Sequence, residues 1–323
     1  MKVLIIRFSS IGDIVLTTPV IRALKTQLDN AEVHYVTKKQ YHGVLKENPY
    51  IDKIHLLDGK LSSLVKELKK EKFDYIIDLH KNLRTSLIKL QLWGVKSYSF
   101  NKINREKWLY VNWKLKNVMP NVHIVDRYME PATKLGVKTD ALGLDYFIAQ
   151  EDEVELSWIG EDYTGEYAGF VIGGQHATKQ LPFEKMIELM DRITIPTIIL
   201  GGPEDKEVGD KLVEYYEKNF PEKKVFNSCG KFKLNQSASL VKQAKVIFTH
   251  DTGLMHIAAA FKKQVYSIWG NTTPELGMYP YRTSFVVYER KDLDCRPCSK
   301  IGHKECPKGH FKCMREQEFD FEV

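Results

Sequence analysis

Apolar runs of four to seven residues alternate along this chain with longer stretches whose apolar positions recur at helical spacing. In the first half, residues 2–8, 32–37, 53–57 and 75–79 predict strands, and residues 14–28, 40–47, 61–72 and 83–92 predict helices. The strands are rich in Val, Ile and Leu without clean alternation, as expected of strands buried on both faces of a parallel sheet. The second half repeats the scheme. Strands are predicted at 168–172, 197–200, 224–226, 246–249, 264–269 and 285–288, with helices at 183–193, 206–220, 235–243 and 253–262. The pattern is that of an α/β protein with two doubly wound, Rossmann-like sheets. Residues 1–150 and 167–323 are the expected domains, and the acidic stretch 151–166 has the composition of a linker. A length of 323 residues also exceeds the size at which single cores stop growing.

The corner at residues 246–263 carries the densest chemistry. Val246-Ile-Phe is a short apolar run, Thr249-His-Asp-Thr-Gly253 a polar turn, and Leu254 opens an alanine-rich helix. A helix N-terminus at the carboxyl end of a parallel strand favours an anion beside Thr252 and Gly253. Asp251 is able to cap the helix or accept hydrogen bonds from sugar hydroxyls, and Met255 and His256 fall on the first turn. The same residues also suit an ordinary capped, buried helix. A second corner follows the first strand, Arg7-Phe-Ser-Ser-Ile-Gly-Asp13. Ser10 and Asp13 have capping-box spacing, yet Asp13 also occupies a strand-end position suited to a general base, and Gly12 lets another molecule approach the backbone.

Charge changes the picture through its distribution. The net charge is +6, but residues 1–150 carry 25 Lys+Arg against 15 Asp+Glu, while the remainder carries 23 against 27. The basic half suits phosphates, nucleic acid or an anionic membrane surface. Residues 96–116 mix Lys and Arg with Trp108, Tyr110 and Trp113, a composition suited to an interfacial surface or to a solvated helix. Met1-Lys2-Val3-Leu4-Ile5-Ile6 runs into polar Ser9-Ser10, and no stretch approaches a membrane span, so a cytoplasmic protein is expected.

Five segments in order resemble glycosyltransferase family 9, the ADP-heptose:lipopolysaccharide heptosyltransferases. They are Arg7-x-Ser-Ser-Ile-Gly-Asp13 with Thr17-Thr-Pro19, Asp78-Leu-His-Lys-Asn-Leu-Arg-Thr-Ser86, His123-x-x-Asp126-Arg127-Tyr128 with Leu135-Gly136, Ile199-Leu-Gly-Gly-Pro-Glu204, and Asp251-Thr-Gly-Leu-Met-His-Ile-Ala-Ala-Ala260. The resemblance implies a GT-B architecture, two facing Rossmann-like domains with a cleft between them, and inverting, metal-independent transfer with no cofactor. It makes Asp13 the general base and Lys179, followed by Leu181-Pro182, the phosphate-contacting lysine. Ser10, Gly12, Gly174, Gln175, Glu204, Asp251, Thr252, Gly253, Leu254 and His256 would hold the nucleotide sugar, ADP-heptose. Lys81, Arg84, Arg105, Lys107 and Arg127 would meet the lipopolysaccharide core acceptor, with peripheral contact at the inner membrane surface and no nucleic acid. Gly174 and Gln175 stand where family members often carry hydroxyl residues, and Leu181 replaces the usual tryptophan.

Cys295-x2-Cys298-x7-Cys306-x6-Cys313, with His303 and His310 nearby, leaves a structural metal or a packed, reduced cluster open, and no metal is expected for transfer. Cys229 reads as an ordinary buried thiol. Three function classes compete: the glycosyltransferase, including one that uses another nucleotide sugar and glycan acceptor; a Rossmann oxidoreductase; and a polyanion-binding protein with a cysteine knuckle. The first turn has no G-x-G-x-x-G, which weighs against a dinucleotide.

Overall fold

The computed structural model describes residues 1–323 and divides into two compact units. The first comprises residues 1–103 and 122–147, the second residues 104–121 and 148–323. In chain order the first half holds β1 (Lys2–Ile6), α1 (Ile11–Val15), α2 (Thr18–Gln27), β2 (Glu32–Lys38), β3 (Lys53–Leu57), α3 (Leu61–Glu71), β4 (Tyr75–Asp78), α4 (Leu83–Gln91), β5 (Lys96–Ser99), α5 (Asn104–Trp113) and α6 (Ile124–Thr133). The first unit's sheet is wholly parallel in the order β3-β2-β1-β4-β5. Val3, Leu4, Ile5 and Ile6 are fully buried, as a strand covered by helices on both faces requires. Strand order reverses between β1 and β4, so the carboxyl ends of these two strands flank the switch point where open α/β sheets bind ligands.

The second unit continues with β6 (Ala168–Val171), α7 (Phe183–Asp191), β7 (Thr197–Leu200), α8 (Lys206–Asn219), β8 (Val225–Asn227), α9 (Leu234–Gln243), β9 (Val246–His250), α10 (Gly253–Ala260), β10 (Gln264–Trp269), β11 (Phe285–Glu289) and α11 (Lys312–Arg315). Its parallel sheet has the order β11-β10-β9-β6-β7-β8, with the switch point between β6 and β9. After α11 the chain returns across this core. Phe321 packs 4.6 Å from Phe248, Phe319 packs 5.3 Å from Tyr288, and Val323 O accepts the Thr194 N–H.

Several boundaries differ from the sequence reading for local reasons. The helix expected at 14–28 is two helices, because Pro19 has no N–H to donate and is tolerated only in the first turn of α2. Residues 40–47 form a 3₁₀ turn, Lys39–Val44, ended before Pro49. The stretch 151–166 is not a free linker. Asp152 accepts from the Asn235 amide, Glu153 accepts from Ser239 and Lys242, and the Val154 N–H reaches Ser239 Oγ at 2.9 Å, which fastens it to α9. Residues 104–121, placed by sequence in the first domain, group with the second unit, where Tyr110 Oη lies 2.9 Å from Thr273 Oγ1.

Gly169 on β6 tests the core directly. A Cβ there would lie 2.6 Å from Ile247 Cδ1 and 3.1 Å from Leu200 Cδ1. Gly169→Val is expected to lower stability by about 1–3 kcal/mol through overpacking, read as a lower denaturant midpoint.

Candidate active site

In the first unit the corner after β1 is built around Arg7. Its guanidinium is buried and donates to Ser9 O at 2.7 Å, Leu79 O at 2.6 Å and Tyr128 Oη at 2.7 Å. Its Nη2 pairs with Asp13 Oδ1 at 2.8 Å. Burial pulls the Arg7 pKa down, but Asp13 together with Tyr128 and Tyr35 outweighs it and the net shift is upward, so the cation persists. The other Asp13 oxygen accepts from Ser10 Oγ at 2.8 Å and Ser10 N at 3.2 Å. Capping geometry and a positioned carboxylate are therefore the same arrangement, and the Asp13 side chain remains 22% exposed. Gly12 is buried on the first turn of α1.

At the end of β4, buried Asp78 accepts the backbone N–H groups of His80 (3.1 Å) and Lys81 (2.7 Å) and pairs with Lys89 Nζ at 2.9 Å. Asn82 caps α4 through the Thr85 N–H. His80 is edge-on to Phe8 at 5.4 Å, and burial, Arg7 and Lys102 push its pKa down to about 4. Lys81 and Arg84 project outward and are exposed. Arg127 does not: it is 2% exposed on α6, and none of its guanidinium nitrogens has a hydrogen-bond partner. Burial pulls its pKa down. Arg105 and Lys107, expected beside these residues, lie on α5 in the second unit.

The second unit builds a corner at the ends of β6 and β9. Fully buried His250 accepts the Leu181 N–H at Nε2 (3.0 Å) and faces Gly173 O with Nδ1 (3.3 Å). These partners fix one neutral tautomer, and burial pushes the pKa down to about 4. The residues so tied, Gly173 and Leu181, bracket the loop that carries Lys179. Lys179 Nζ reaches Asp251 Oδ2 at 2.6 Å, and Thr272 Oγ1 donates to the same oxygen at 3.1 Å. Thr252 precedes α10, whose first turn carries Gly253 and Leu254 and receives no side-chain cap. His256 is buried on that turn. Gly174 O accepts from Gln180 Nε2 at 3.0 Å, Gln175 is exposed, and Glu204 is exposed after β7.

The cysteine-rich tail supports this corner. Thr178, next to Lys179, exchanges hydrogen bonds with the His303 backbone, and Cys298 N donates to Asn271 O at 3.0 Å. Arg296, buried, donates to Gly270 O at 2.5 Å and Thr272 O at 3.0 Å and pairs with Glu289 at 3.1 Å. All five cysteines are free thiols. Cys295 Sγ lies 3.8 Å from His310 Nε2, and burial pushes Cys298 up to about 11 and Cys313 and Cys229 to about 12. In the first unit His34, His55 and Glu71 also bring three possible metal-binding atoms within 4.8 Å of one another. There Glu71 is already paired with Lys2 (3.0 Å) and Lys53 (2.5 Å), which neutralises its carboxylate.

Sequence reasoning missed three participants: Arg7 as the anchor of Asp13, His250 as the tie beneath Lys179, and Thr272 as a partner of Asp251. Arg7 had a signal, a guanidinium directly after an apolar strand. Thr272 had none, because it reaches the site from the loop after the adjacent strand, β10.

Two parallel α/β units, each with polar groups at its switch point, have the make-up of the GT-B fold, which the solved structures similar to this chain share. The family model for glycosyltransferase family 9 (heptosyltransferase) matches residues 61–308, and the chain belongs to that family. It is thus a glycosyltransferase, and the oxidoreductase and polyanion-binding readings fall. It is 24% identical over 91% of its length to lipopolysaccharide heptosyltransferase 1 of Campylobacter coli, of which 89% is covered. Among solved structures it is similar to a family 9 glycosyltransferase from Veillonella parvula (TM-score 0.72, 22% identity, 88% of this chain and 86% of that one). It is also similar to the E. coli heptosyltransferase WaaC with ADP-2-deoxy-2-fluoro heptose (TM-score 0.67, 19% identity, 98% and 96%).

His250 and His80 make stability depend on pH. Below about 6.5 the unfolded chain binds protons that the folded chain refuses until about 4, so their contribution is complete above pH 6.5 and is lost as pH falls toward 4. Each group is expected to cost about 1.4 kcal/mol per pH unit across that window. Melting temperature against pH checks this, and His250→Gln is expected to flatten the slope.

Proposed function

We propose that this protein transfers a heptose from ADP-heptose to a lipopolysaccharide core acceptor by a single inverting displacement that needs no metal, working in the cytoplasm at the periphery of the inner membrane. The observation that carries the reading is the Asp13 carboxylate at the carboxyl end of β1, held by Arg7 and Ser10 and still open to solvent. Asp13 takes the acceptor hydroxyl proton as that oxygen bonds to the anomeric carbon. The bond from that carbon to the diphosphate breaks, and ADP leaves with the electron pair. Lys179 and the N-terminus of α10 stabilise the charge that grows on the diphosphate. Asp251, Thr252, Gly253, Leu254 and His256 hold the sugar and diphosphate, with Ser10, Gly12, Gly174, Gln175 and Glu204 as further donor contacts. The ADP-heptose reading draws support from the relatives' names, and it has a specific rival. Gly174, Gln175 and Leu181 suit a family member that uses another nucleotide sugar and glycan acceptor.

Lys81, Arg84, Arg105, Lys107 and Arg127 are the proposed acceptor contacts. Arg127 has the strongest physical case, because a buried guanidinium without partners is costly unless an anion is bound beside it. Arg127→Met is expected to raise the melting temperature of the ligand-free protein by a few degrees and to raise the acceptor KM. A variant both less stable and unchanged in KM would assign Arg127 to the fold alone.

The transfer assay supplies ADP-heptose and a heptose-deficient lipid A core to purified protein with chelator present. Wild type is expected to transfer heptose. Asp13→Asn is expected to lose about 10²–10⁴ in kcat with ADP-heptose binding retained, and Lys179→Ala about 10²–10³. Binding of another nucleotide sugar in place of ADP-heptose would favour the rival.

A further inference from the structure

Helix α4 has apolar residues on both its buried and its exposed face. Thr85, Ile88 and Leu92 are buried against the first unit's core. At about 100° per residue, Leu83, Leu87 and Leu90 fall on the opposite side within an arc of roughly 60°. They are 77%, 42% and 70% exposed, and Trp93, just past the helix, is 88% exposed. The positions that point most directly away from the core are therefore leucines, where an ordinary solvated helix carries charge.

The surroundings state what this stripe meets. Between residues 75 and 103 the acids are reduced to Asp78, which is buried, against Lys81, Arg84, Lys89, Lys96 and Lys102. On the Gln91 flank of α4, Lys69 of α3 donates to Gln91 Oε1 at 3.1 Å, and Lys66 and Lys70 are exposed on the same helix. A leucine stripe rimmed by lysine and arginine, with no exposed acid in the segment, fits an interfacial helix on an anionic bilayer. A second copy of the chain fits poorly, because a symmetric contact would set one basic rim on another.

We infer that α4 docks the protein on the membrane: Leu83, Leu87, Leu90 and Trp93 enter the headgroup layer of an anionic phospholipid bilayer, and the flanking Lys and Arg pair with its phosphates. The inference deepens the peripheral placement proposed above and names the element responsible. Arg84, a proposed acceptor contact, lies on the same helix, so docking brings that contact to the surface that holds a lipid-anchored acceptor.

Vesicle cosedimentation of the full chain tests this without donor or acceptor, so failed docking and failed transfer are separable. Wild type is expected to sediment with mixed phosphatidylcholine–phosphatidylglycerol vesicles, weakly with phosphatidylcholine alone, and less at high salt. The double variant Leu87→Asn, Leu90→Asn is expected to lose about tenfold or more in vesicle affinity with an unchanged melting temperature. Lys96→Ala, which removes one flanking charge and no apolar anchor, is expected to lose less. Equal sedimentation of wild type and double variant overturns the inference, as does a wild type that ignores anionic vesicles. A wild-type dimer that the double variant dissociates would give the stripe to a second copy instead.

Discussion

The Arg7 guanidinium is the constraint on which the first corner depends. One planar cation, out of water, ties the turn after β1, the end of β4, the α6 tyrosine and the Asp13 carboxylate to a common point. Burying a guanidinium is costly where its charge goes unpaired, so a different position for Asp13 would leave the Arg7 cation without its carboxylate. The position of the carboxylate is therefore a property of the whole unit and not of its local turn. Helix capping alone would have given Asp13 a role that ends at Ser10.

The second corner solves the same problem with a neutral group. His250 uses both ring nitrogens to hold Gly173 and Leu181, and the loop between them carries Lys179 to Asp251. The Lys179 charge rests on Asp251, which Thr272 also engages. In the proposed reaction an incoming diphosphate would compete with that carboxylate for the ammonium, and exchange of one anionic partner for another would keep the lysine placed. The tail adds a mechanical support through His303 on Thr178 and Arg296 on the Gly270–Thr272 backbone. In this protein the cysteine-rich segment therefore scaffolds the two loops that carry Lys179 and Thr272.

Much of the fold was legible because parallel strands buried on both faces have an unmistakable composition, as β1 and β9 illustrate. β5 was not, since Lys96-Ser-Tyr-Ser99 is an edge strand whose polar residues face solvent. α6 escaped because His123 caps it with a ring nitrogen and Pro131 interrupts its interior. At the site, Asp13 and the Asp251 corner could be read because strand, turn and helix are contiguous there. Thr272, His303 and Arg296 could not, because they reach the site from separate parts of the chain. Arg127 was chosen from its neighbours in sequence, and its burial without partners became visible only with α6 in place. The leucine stripe on α4 was hidden for another reason: an apolar helix looks buried in sequence whichever way its leucines point.

Asp13 as a base that deprotonates an acceptor attacking opposite the leaving diphosphate has one direct signature, the configuration at the transferred sugar's anomeric carbon. Nuclear magnetic resonance of the isolated product, compared with the donor, reads it. The account predicts inversion in every product molecule formed by the wild-type protein. Retention of the donor's configuration would require a second displacement or front-face attack, and would contradict the role assigned to Asp13.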